Sequence, residues 1–236
     1  MLNYIKDILS FLNRKRKSKK ISFSQTGIDL LLNNIFKNKK NGFYIDVGCN
    51  HPIFNNNTYL LYKRGWSGVN IDLDYDCINL FKKFRNADFN INCALSSTVS
   101  TKNLYFYHNK SPLNTLDKNV SDKQNAKVQK IKKIDTKTLN EILKNENLHD
   151  KTIDLLTIDV EGHELDVLKG FDLNHYKPKI VVLEFLDAKT DKLEIKNLNI
   201  KNVLNSEIFN YMANNNYILI NWLHSDLIFA ENSFRD

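Results

Sequence analysis

Short apolar runs that end in an acidic residue recur along this chain. Four of these runs close at Asp46, Asp72, Asp159 and Glu184, and amphipathic segments separate them. Strands that alternate with helices predict an α/β fold with a mainly parallel sheet. Because ligands of such sheets bind at the carboxyl ends of the strands, we expect these four acids to form a polar crevice there.

Hydrophobic periodicity extends this prediction to most of the chain. We expect strands at 43–47, 68–72, 89–95, 103–108, 127–134, 153–158, 179–184, 216–222 and 226–230. We expect helices at 24–36, 58–64, 75–85, 135–144, 163–169 and 203–213. The last two strands are separated by only a few residues, so they should pair as an antiparallel hairpin. The polar stretch 109–126 is the longest predicted loop and a candidate lid or binding loop.

Composition limits the class of protein. Of the 236 residues, 42% are apolar and 26% are charged, which is typical of a soluble globular domain. No apolar run approaches the ~18 residues that a membrane-spanning helix needs. The three cysteines (49, 77 and 93) lack CxxC spacing, which argues against a disulfide scaffold or a structural zinc module. A reducing, cytoplasmic setting is expected.

The positive charge is concentrated at the N-terminus. The formal net charge is +7, and residues 1–20 hold seven basic residues against one acid, which gives +6. The other 216 residues are therefore close to neutral, at +1. An enzyme that acts on nucleic acid usually has a basic face on its folded body, so no nucleic acid is expected as a partner. We divide the chain into an N-terminal extension, 1–20, and a single domain, 21–236.

The extension is predicted to form a short amphipathic helix followed by a basic run. Its apolar positions recur at helical spacing; they are Leu2, Ile5, Ile8, Leu9 and Leu12. One interpretation is peripheral contact with an anionic membrane, at the inner face of the cell membrane. The other is a solvated tail, or a helix that packs on the domain or on a partner subunit. Basic tails are common and this apolar stripe is short, which favours the second interpretation.

The first candidate site is the turn after the 43–47 strand, Asp46-Val-Gly48-Cys49-Asn50. Gly48 allows the backbone to turn beneath a ligand. Asp72 follows 24 residues later, at the end of the next strand, where an acid can bind both hydroxyls of a ribose. The GxGxxG pattern of dinucleotide sites is absent, so a nucleoside cofactor such as S-adenosylmethionine is favoured over a nicotinamide. Asp46 taken alone could equally be a helix cap or a turn former.

The second candidate site is the strand-to-helix turn at 158–164, which places three carboxylates and an imidazole within six residues. Acids in the first turn of a helix complement its dipole, which accounts for Glu161 and Glu164. It does not account for His163, because a positive helix end disfavours a charged imidazole. A neutral imidazole in a cleft is a candidate general base. A metal site is conceivable, but no second ligand cluster stands at a suitable spacing to support it, so none is predicted.

Three long segments carry a family resemblance: GFYIDVGCNHP, NNTYLLYKRGWSGVNIDLD and IDLLTIDVEGHELDVLKGFD. Together they closely resemble the FkbM-type family of S-adenosylmethionine-dependent methyltransferases, over roughly residues 24–230. The resemblance implies a class I methyltransferase fold, with a mainly parallel seven-stranded sheet, helices on both faces and one reversed strand. It also implies methyl transfer to an oxygen of a sugar, a glycan precursor or a small metabolite.

The resemblance also implies roles for individual residues. The methionine end of the cofactor is implied to contact Asp46, Gly48, Asn50, Asn57 and Thr58. Its ribose is implied to contact Asp72, and its adenine to lie near Ala94 and Leu95. The residues implied to face the transferred methyl and the acceptor are Asp159, Glu161 and His163, and Asp159 is also predicted to bind the cofactor. Cys49 departs mildly from the family pattern, in which a small Ala is usual.

The predicted function is therefore O-methylation of a hydroxyl acceptor that is a small molecule or a glycan. His163 is the first candidate for the base, with Asp159 either orienting it or acting in its place, and His51 is a weaker alternative. One alternative is a nucleic-acid methyltransferase that docks through the basic N-terminus. Another is a non-catalytic module on the same fold, which the intact set of strand-end acids argues against. The sequence identifies neither the acceptor nor the oligomeric state.

Overall fold

A computed structural model of the chain, which describes residues 2–124, 126–185 and 200–235, has a seven-stranded sheet at its centre. The side chains of residues 2, 3, 17 and 235 lie outside this description, as does residue 125 of the predicted 109–126 loop. The strands are β1 (Phe43–Val47), β2 (Ser67–Asp72), β3 (Phe89–Asn92), β4 (Ala94–Leu95), β5 (Ser100–Phe106), β6 (Lys130–Lys137), β7 (Leu155–Ile158), β8 (Ile180–Glu184), β9 (Tyr217–Leu223) and β10 (Asp226–Glu231). The helices are α1 (Leu2–Ser18), α2 (Ile28–Ile35), α3 (Tyr59–Tyr62), α4 (Tyr75–Phe84), α5 (Lys118–Lys123), α6 (Leu139–Asn145), α7 (Glu164–Lys169), α8 (Leu173–Tyr176), α9 (Ile200–Leu204) and α10 (Glu207–Asn214), with a 3-10 helix at Asn232–Arg235.

The central sheet has the strand order β3-β2-β1-β7-β8-β10-β9. Its first five strands pair in parallel, whereas β10 runs antiparallel to both β8 and β9. β10 is therefore the one reversed strand, and β9 and β10 form the C-terminal hairpin. This topology confirms the predicted class I methyltransferase architecture.

The central strands form because their side chains are buried on both faces of the sheet. All five residues of β1 are buried. Phe43, Ile45 and Val47 pack into one apolar cluster, and Tyr44 packs into a second cluster on the opposite face. Helices α6, α7 and α10 cover the first face, while α2 and α3 cover the second. Strands covered on both sides are near-continuously apolar, which is the pattern that the sequence shows.

Three predicted strands differ from those in the structure. The single strand expected at 89–95 is two strands: β3 joins the central sheet, and β4 joins a separate three-stranded sheet of order β4-β6-β5. The strands expected at 103–108 and 127–134 are β5 and β6, which pair antiparallel in that small sheet. Buried and exposed residues alternate along β5, as is typical of a sheet with one solvated face.

Helix boundaries also differ from the prediction. The helix expected at 203–213 is two helices, α9 and α10, and the helices expected at 135–144 and 24–36 begin later than predicted. The helix expected at 135–144 begins at Leu139, because Thr138 Oγ1 accepts a hydrogen bond from the Glu141 amide at 3.1 Å and ends the strand there. The helix expected at 24–36 begins at Ile28. Asp29 accepts hydrogen bonds from the Phe23 amide at 2.7 Å and the Ser24 hydroxyl at 3.0 Å, which hold the preceding residues in a turn.

The N-terminal helix α1 extends through the basic residues to Ser18, beyond the apolar pattern that predicted it. Arg and Lys are good helix formers, which accounts for the extension. The side chains of residues 4–16 are all exposed. Within the described part of the chain, no helix is both long enough and apolar enough to cross a membrane.

Candidate functional site

A cleft opens at the carboxyl ends of β1, β2 and β7. The space within it, open solvent included, is about 780 Å³. Most of the predicted site residues line it: Gly48, Asn50, Asp72, Ala94, Leu95, Asp159, Glu161 and His163. Strands β2, β1, β7 and β8 lie side by side, so the four strand-end acids come from neighbouring positions of the sheet.

Gly48 lies where β1 and the end of β7 come into close contact. Its φ is 75°, a left-handed conformation, and a Cβ atom here would lie 1.7 Å from the Asp159 carbonyl oxygen. The Gly48 amide donates to the Ile71 carbonyl at 2.9 Å, which ties the turn to β2. Only glycine fits this turn, because its φ is left-handed and the β7 end packs directly against its Cα.

Asp72 is the last residue of β2, and both of its carboxylate oxygens are fixed. One oxygen accepts from the Asn50 amide at 2.9 Å, and the other accepts from the Asp74 amide at 2.7 Å. Burial raises the pKa of Asp72 to about 6, although both hydrogen bonds oppose this rise. Each oxygen keeps acceptor capacity toward the cleft, as a diol-binding carboxylate needs.

The wall beside Asp72 is largely apolar. Ala94 and Leu95 are buried and line the cleft together with Ile71, Cys77 and Cys93. All three cysteines of the chain are free thiols. An apolar wall beside a diol-binding carboxylate suits a nucleoside, whose base is flat and whose sugar is polar.

Asp46, Asn57 and Thr58 lie behind this cleft and are not among its lining residues. Asp46 accepts hydrogen bonds from Thr58 Oγ1 at 2.7 Å and from Asn56 Nδ2 at 3.1 Å. Burial raises the pKa of Asp46, against the effect of the Arg85 guanidinium. Asn57 contacts the Thr157 hydroxyl at 3.5 Å. The direct cofactor contact that the resemblance implies for these residues stays a prediction.

Arg85 is the centre of this buried network, and no sequence pattern indicated its role. The residue is fully buried and donates to Asn56 Oδ1 at 3.0 Å, Thr58 Oγ1 at 2.9 Å and Asp88 Oδ2 at 3.1 Å. It also donates to the Tyr44 hydroxyl. An arginine at the end of a helical pattern normally indicates a solvated residue that complements the helix dipole. Here it fixes the loop between β1 and α3.

A cluster of carboxylates borders the cleft at the ends of β7 and β8. Single oxygens of Asp159, Glu161 and Glu184 lie within 4.8 Å of one another. Water reaches Asp159 through the cleft, yet the surrounding protein removes much of its hydration and raises its pKa. Burial and the neighbouring acids raise the pKa of Glu161 to about 8, and they raise that of Glu184 well above its usual range.

This carboxylate cluster could hold a cation. Across the described ranges, no ion pair involves any of its three carboxylates. Carboxylate oxygens are the ligands that Mg²⁺ and Ca²⁺ prefer, and they also accept protons or attract an organic cation. Glu184 supplies a third oxygen ligand from outside the 158–164 turn, which sequence spacing could not reveal. That the protein has no metal site stays a prediction.

His163 lies at the cleft with both ring nitrogens beside protein groups. Its Nε2 is 3.1 Å from Ser96 Oγ, and its Nδ1 is 3.6 Å from Asp166 Oδ2. Burial lowers the pKa of His163, so the ring is neutral near pH 7. The structure places the carboxylate of Asp166 beside the ring. That Asp159 orients His163, or acts in its place, stays a prediction. His51 caps its own loop, since its Nδ1 accepts from the Ile53 amide at 3.1 Å.

The segment predicted as a lid or binding loop covers one side of the cleft. Lys110, Ser111 and Asn114 are among its lining residues. The Thr115 hydroxyl donates to the Glu161 carbonyl at 2.7 Å, which joins this segment to the β7 turn. Residues of the segment therefore form part of the cleft wall, although their sequence shows no ligand-specific motif.

Comparison with known proteins bears on this geometry. The family model for the methyltransferase FkbM domain matches residues 46–219, which is 174 of the 236 residues. No curated protein matched the chain. The matched region holds the Gly48 turn, Asp72 and the whole carboxylate cluster. The chain therefore belongs to the FkbM family of methyltransferases.

Proposed function

We propose that this methyltransferase transfers a methyl group from S-adenosylmethionine to a hydroxyl of a sugar, a glycan precursor or a small metabolite. The observation that carries the proposal is the carboxylate of Asp72 at the end of β2, beside the Gly48 turn and an apolar wall. This is the arrangement that an adenosine moiety needs. It supports a nucleoside-type methyl donor.

The residues present fit this cofactor. Asp72 would bind the ribose hydroxyls, since its two oxygens are held in place by the Asn50 and Asp74 amides. Ala94 and Leu95 would pack on the adenine. Gly48 lines the cleft, so its backbone would face the methionine end. When bound, S-adenosylmethionine supplies an electrophilic methyl group on a sulfonium.

Asp46, Asn57 and Thr58 take a supporting role in this proposal. Thr58 and Asn56 donate hydrogen bonds to the Asp46 carboxylate, and Arg85 donates a hydrogen bond to Asn56 in the same loop. The loop in turn places Asn50, whose amide orients Asp72. Preorganisation of this kind fixes the donor and the acceptor relative to one another, and alignment is the main task of a methyltransferase.

An alcohol acceptor must lose its proton as it attacks. We assign proton removal to the Glu161 carboxylate, with Asp159 as its closest acidic neighbour in the cleft. A base whose pKa is about 8 is matched to work near neutral pH. His163 is a less suitable base than the sequence predicted, because Ser96 and Asp166 stand at its two ring nitrogens. Its proposed role is to hold the segment after β4 against α7.

The proposed function is tested by offering the full chain S-adenosylmethionine with a panel of nucleotide sugars and glycan precursors. The assay follows formation of S-adenosylhomocysteine and the site of the transferred methyl. We expect product with at least one hydroxyl acceptor and none with the same acceptor after its hydroxyls are blocked. Transfer only to amines, or to nucleic acid, would contradict the assignment.

A further inference from the structure

The N-terminal helix α1 presents an apolar face that the described protein leaves uncovered. Its apolar side chains are 42–70% exposed; they are Tyr4, Ile5, Ile8, Leu9, Phe11 and Leu12. At 100° per residue, these positions fall within about half of the helix circumference. Tyr4 and Phe11 make this face wider than the stripe predicted from sequence spacing. A contiguous exposed face of this kind marks an interaction surface, whereas scattered apolar residues do not.

Basic residues follow this apolar face directly. Arg14, Lys15 and Arg16 are exposed in the last turns of α1, and Lys19 and Lys20 come just after it. Residues 1–20 carry +6 of the net charge of +7. A solvated tail accounts for the lysines and arginines but not for six exposed apolar side chains. The partner must therefore offer both an apolar layer and negative charge.

We propose that α1 lies in the interface of an anionic phospholipid membrane. The apolar face enters the boundary of the acyl chains, and the basic residues contact the headgroups. The helix has 17 residues, or about 25 Å of length, and lies parallel to the surface. This inference goes beyond methyl transfer and does not depend on it.

Charge argues against the two other ways of covering the face. Pairing α1 with the helix of a second copy would bring two segments of +6 together, and like charges repel. Binding to nucleic acid would neutralise the basic residues but would leave the apolar face in water. A lipid surface satisfies both features at once.

The test is cosedimentation of the full chain with phospholipid vesicles. We expect binding to phosphatidylcholine vesicles with about one third phosphatidylglycerol, and little binding to pure phosphatidylcholine. Binding should weaken when salt rises from about 0.1 M to about 0.5 M.

Replacing Arg14, Lys15 and Arg16 with Gln should lower partitioning about 100-fold, at about fivefold per charge. The Leu9→Glu, Phe11→Glu variant should show no measurable binding.

The charge-matched control replaces Lys82, Lys83 and Lys144, which are exposed on the folded domain, with Gln. This control should bind vesicles like the unmodified chain. The proposal is overturned if the intact chain ignores anionic vesicles, or if the control loses binding as strongly as the α1 variant. Binding that survives Leu9→Glu, Phe11→Glu would also overturn it, because the attachment would then not involve the apolar face.

Light scattering tests whether a second copy of the chain, and not a membrane, covers the apolar face of α1. If the chain is a dimer that Leu9→Glu, Phe11→Glu dissociates, and it does not bind vesicles, the face belongs to a second copy and the proposal is wrong. All variants should keep the melting temperature of the unmodified chain, because the α1 side chains are exposed. That readout shows that a loss of binding is not a loss of folding.

Discussion

At position 48 the backbone decides which residue the turn can hold. Gly48→Ala would place a Cβ atom 1.7 Å from the Asp159 carbonyl oxygen, so β1 and β7 must shift apart. We expect a loss of about 3 kcal/mol or more in the free energy of unfolding, and weaker cofactor binding. Urea denaturation followed by circular dichroism measures the first effect.

Gly27→Ala is the matched control for Gly48→Ala. Gly27 also has a positive φ, 83°, but a Cβ atom there would meet no heavy atom within 4 Å. Its replacement should cost only the left-handed conformation, about 1–2 kcal/mol. Equal losses at both positions would show that the contact with Asp159 is not what requires glycine at position 48.

Glu161 is predicted to set the pH dependence of catalysis. Its pKa is raised to about 8, and only the ionised carboxylate accepts a proton, so kcat/KM should rise with pH up to about 8. Glu161→Gln should lower kcat/KM by about 100-fold and remove the rise. Glu207→Gln, at the exposed start of α10, should change neither. A pH profile that survives Glu161→Gln but disappears in His163→Gln would assign the base to His163 instead.

Among the elements, the loop between β1 and α3 depends on Arg85. Arg85→Met keeps much of the side-chain volume but removes the donors to Asn56, Thr58 and Asp88. The buried carboxylates of Asp46 and Asp88 would lose their cation, and such a loss typically costs about 3–5 kcal/mol. We expect lower stability together with weaker binding of S-adenosylhomocysteine, measured by denaturation and by calorimetry.

Arg64→Met is the comparison for Arg85→Met. Arg64 also donates several hydrogen bonds, to carbonyls that include those of Phe36 at 2.9 Å and Lys39 at 2.8 Å, but it lies away from the cleft. This variant should lose stability while keeping its affinity for S-adenosylhomocysteine. If both variants lost affinity equally, the Arg85 network would have no particular role in placing the loop.

The sequence predicted the elements of the central sheet better than those of the small sheet. β1, β7 and β8 are buried on both faces, and largely apolar runs such as 180–183 identify them directly. β5 and β6 alternate buried and exposed residues, so the pattern indicates strands but not the sheet they join. The division of 89–95 into β3 and β4 depends on pairing with β6, which is distant in sequence.

The site was predictable to the extent that topology alone defines it. Asp72 and Asp159 stand at the ends of strands that the sequence identifies. Because parallel strands end at the same edge of a sheet, the two acids are expected at one edge. The partners of His163 and the network around Arg85 depend on side-chain packing between distant segments. Ser96, for example, is 67 residues from His163 in sequence. Spacing along the chain does not encode such contacts.

For the whole molecule, the buried carboxylates predict how stability changes with pH. Burial raises the pKa of Glu161 to about 8, that of Asp226 to about 7 and that of Glu164 to about 7. The folded state therefore binds these protons more tightly than the unfolded state. The stability they confer is complete below the usual carboxyl pKa of about 4 and is lost as pH rises through about 7 to 8.

A difference measurement isolates this effect from His51 and His163, whose lowered pKa values act in the opposite direction. We expect Glu161→Gln to gain stability relative to the unmodified chain between about pH 5 and about pH 8. Urea denaturation of both proteins at each pH measures the difference between their free energies of unfolding. A difference in the free energy of unfolding that stays constant over this pH range would contradict the raised pKa of Glu161.

The central claim is that the cleft binds an adenosyl cofactor through Asp72, and titration calorimetry with S-adenosylhomocysteine tests it most directly. We predict saturable binding by the intact chain. Asp72→Asn should weaken it roughly 10- to 100-fold, in line with the loss of a charged hydrogen-bond acceptor. Asp76→Asn, in the first turn of α4, should bind normally. A folded chain that does not bind S-adenosylhomocysteine, or an Asp72→Asn variant that binds it unchanged, would contradict the claim.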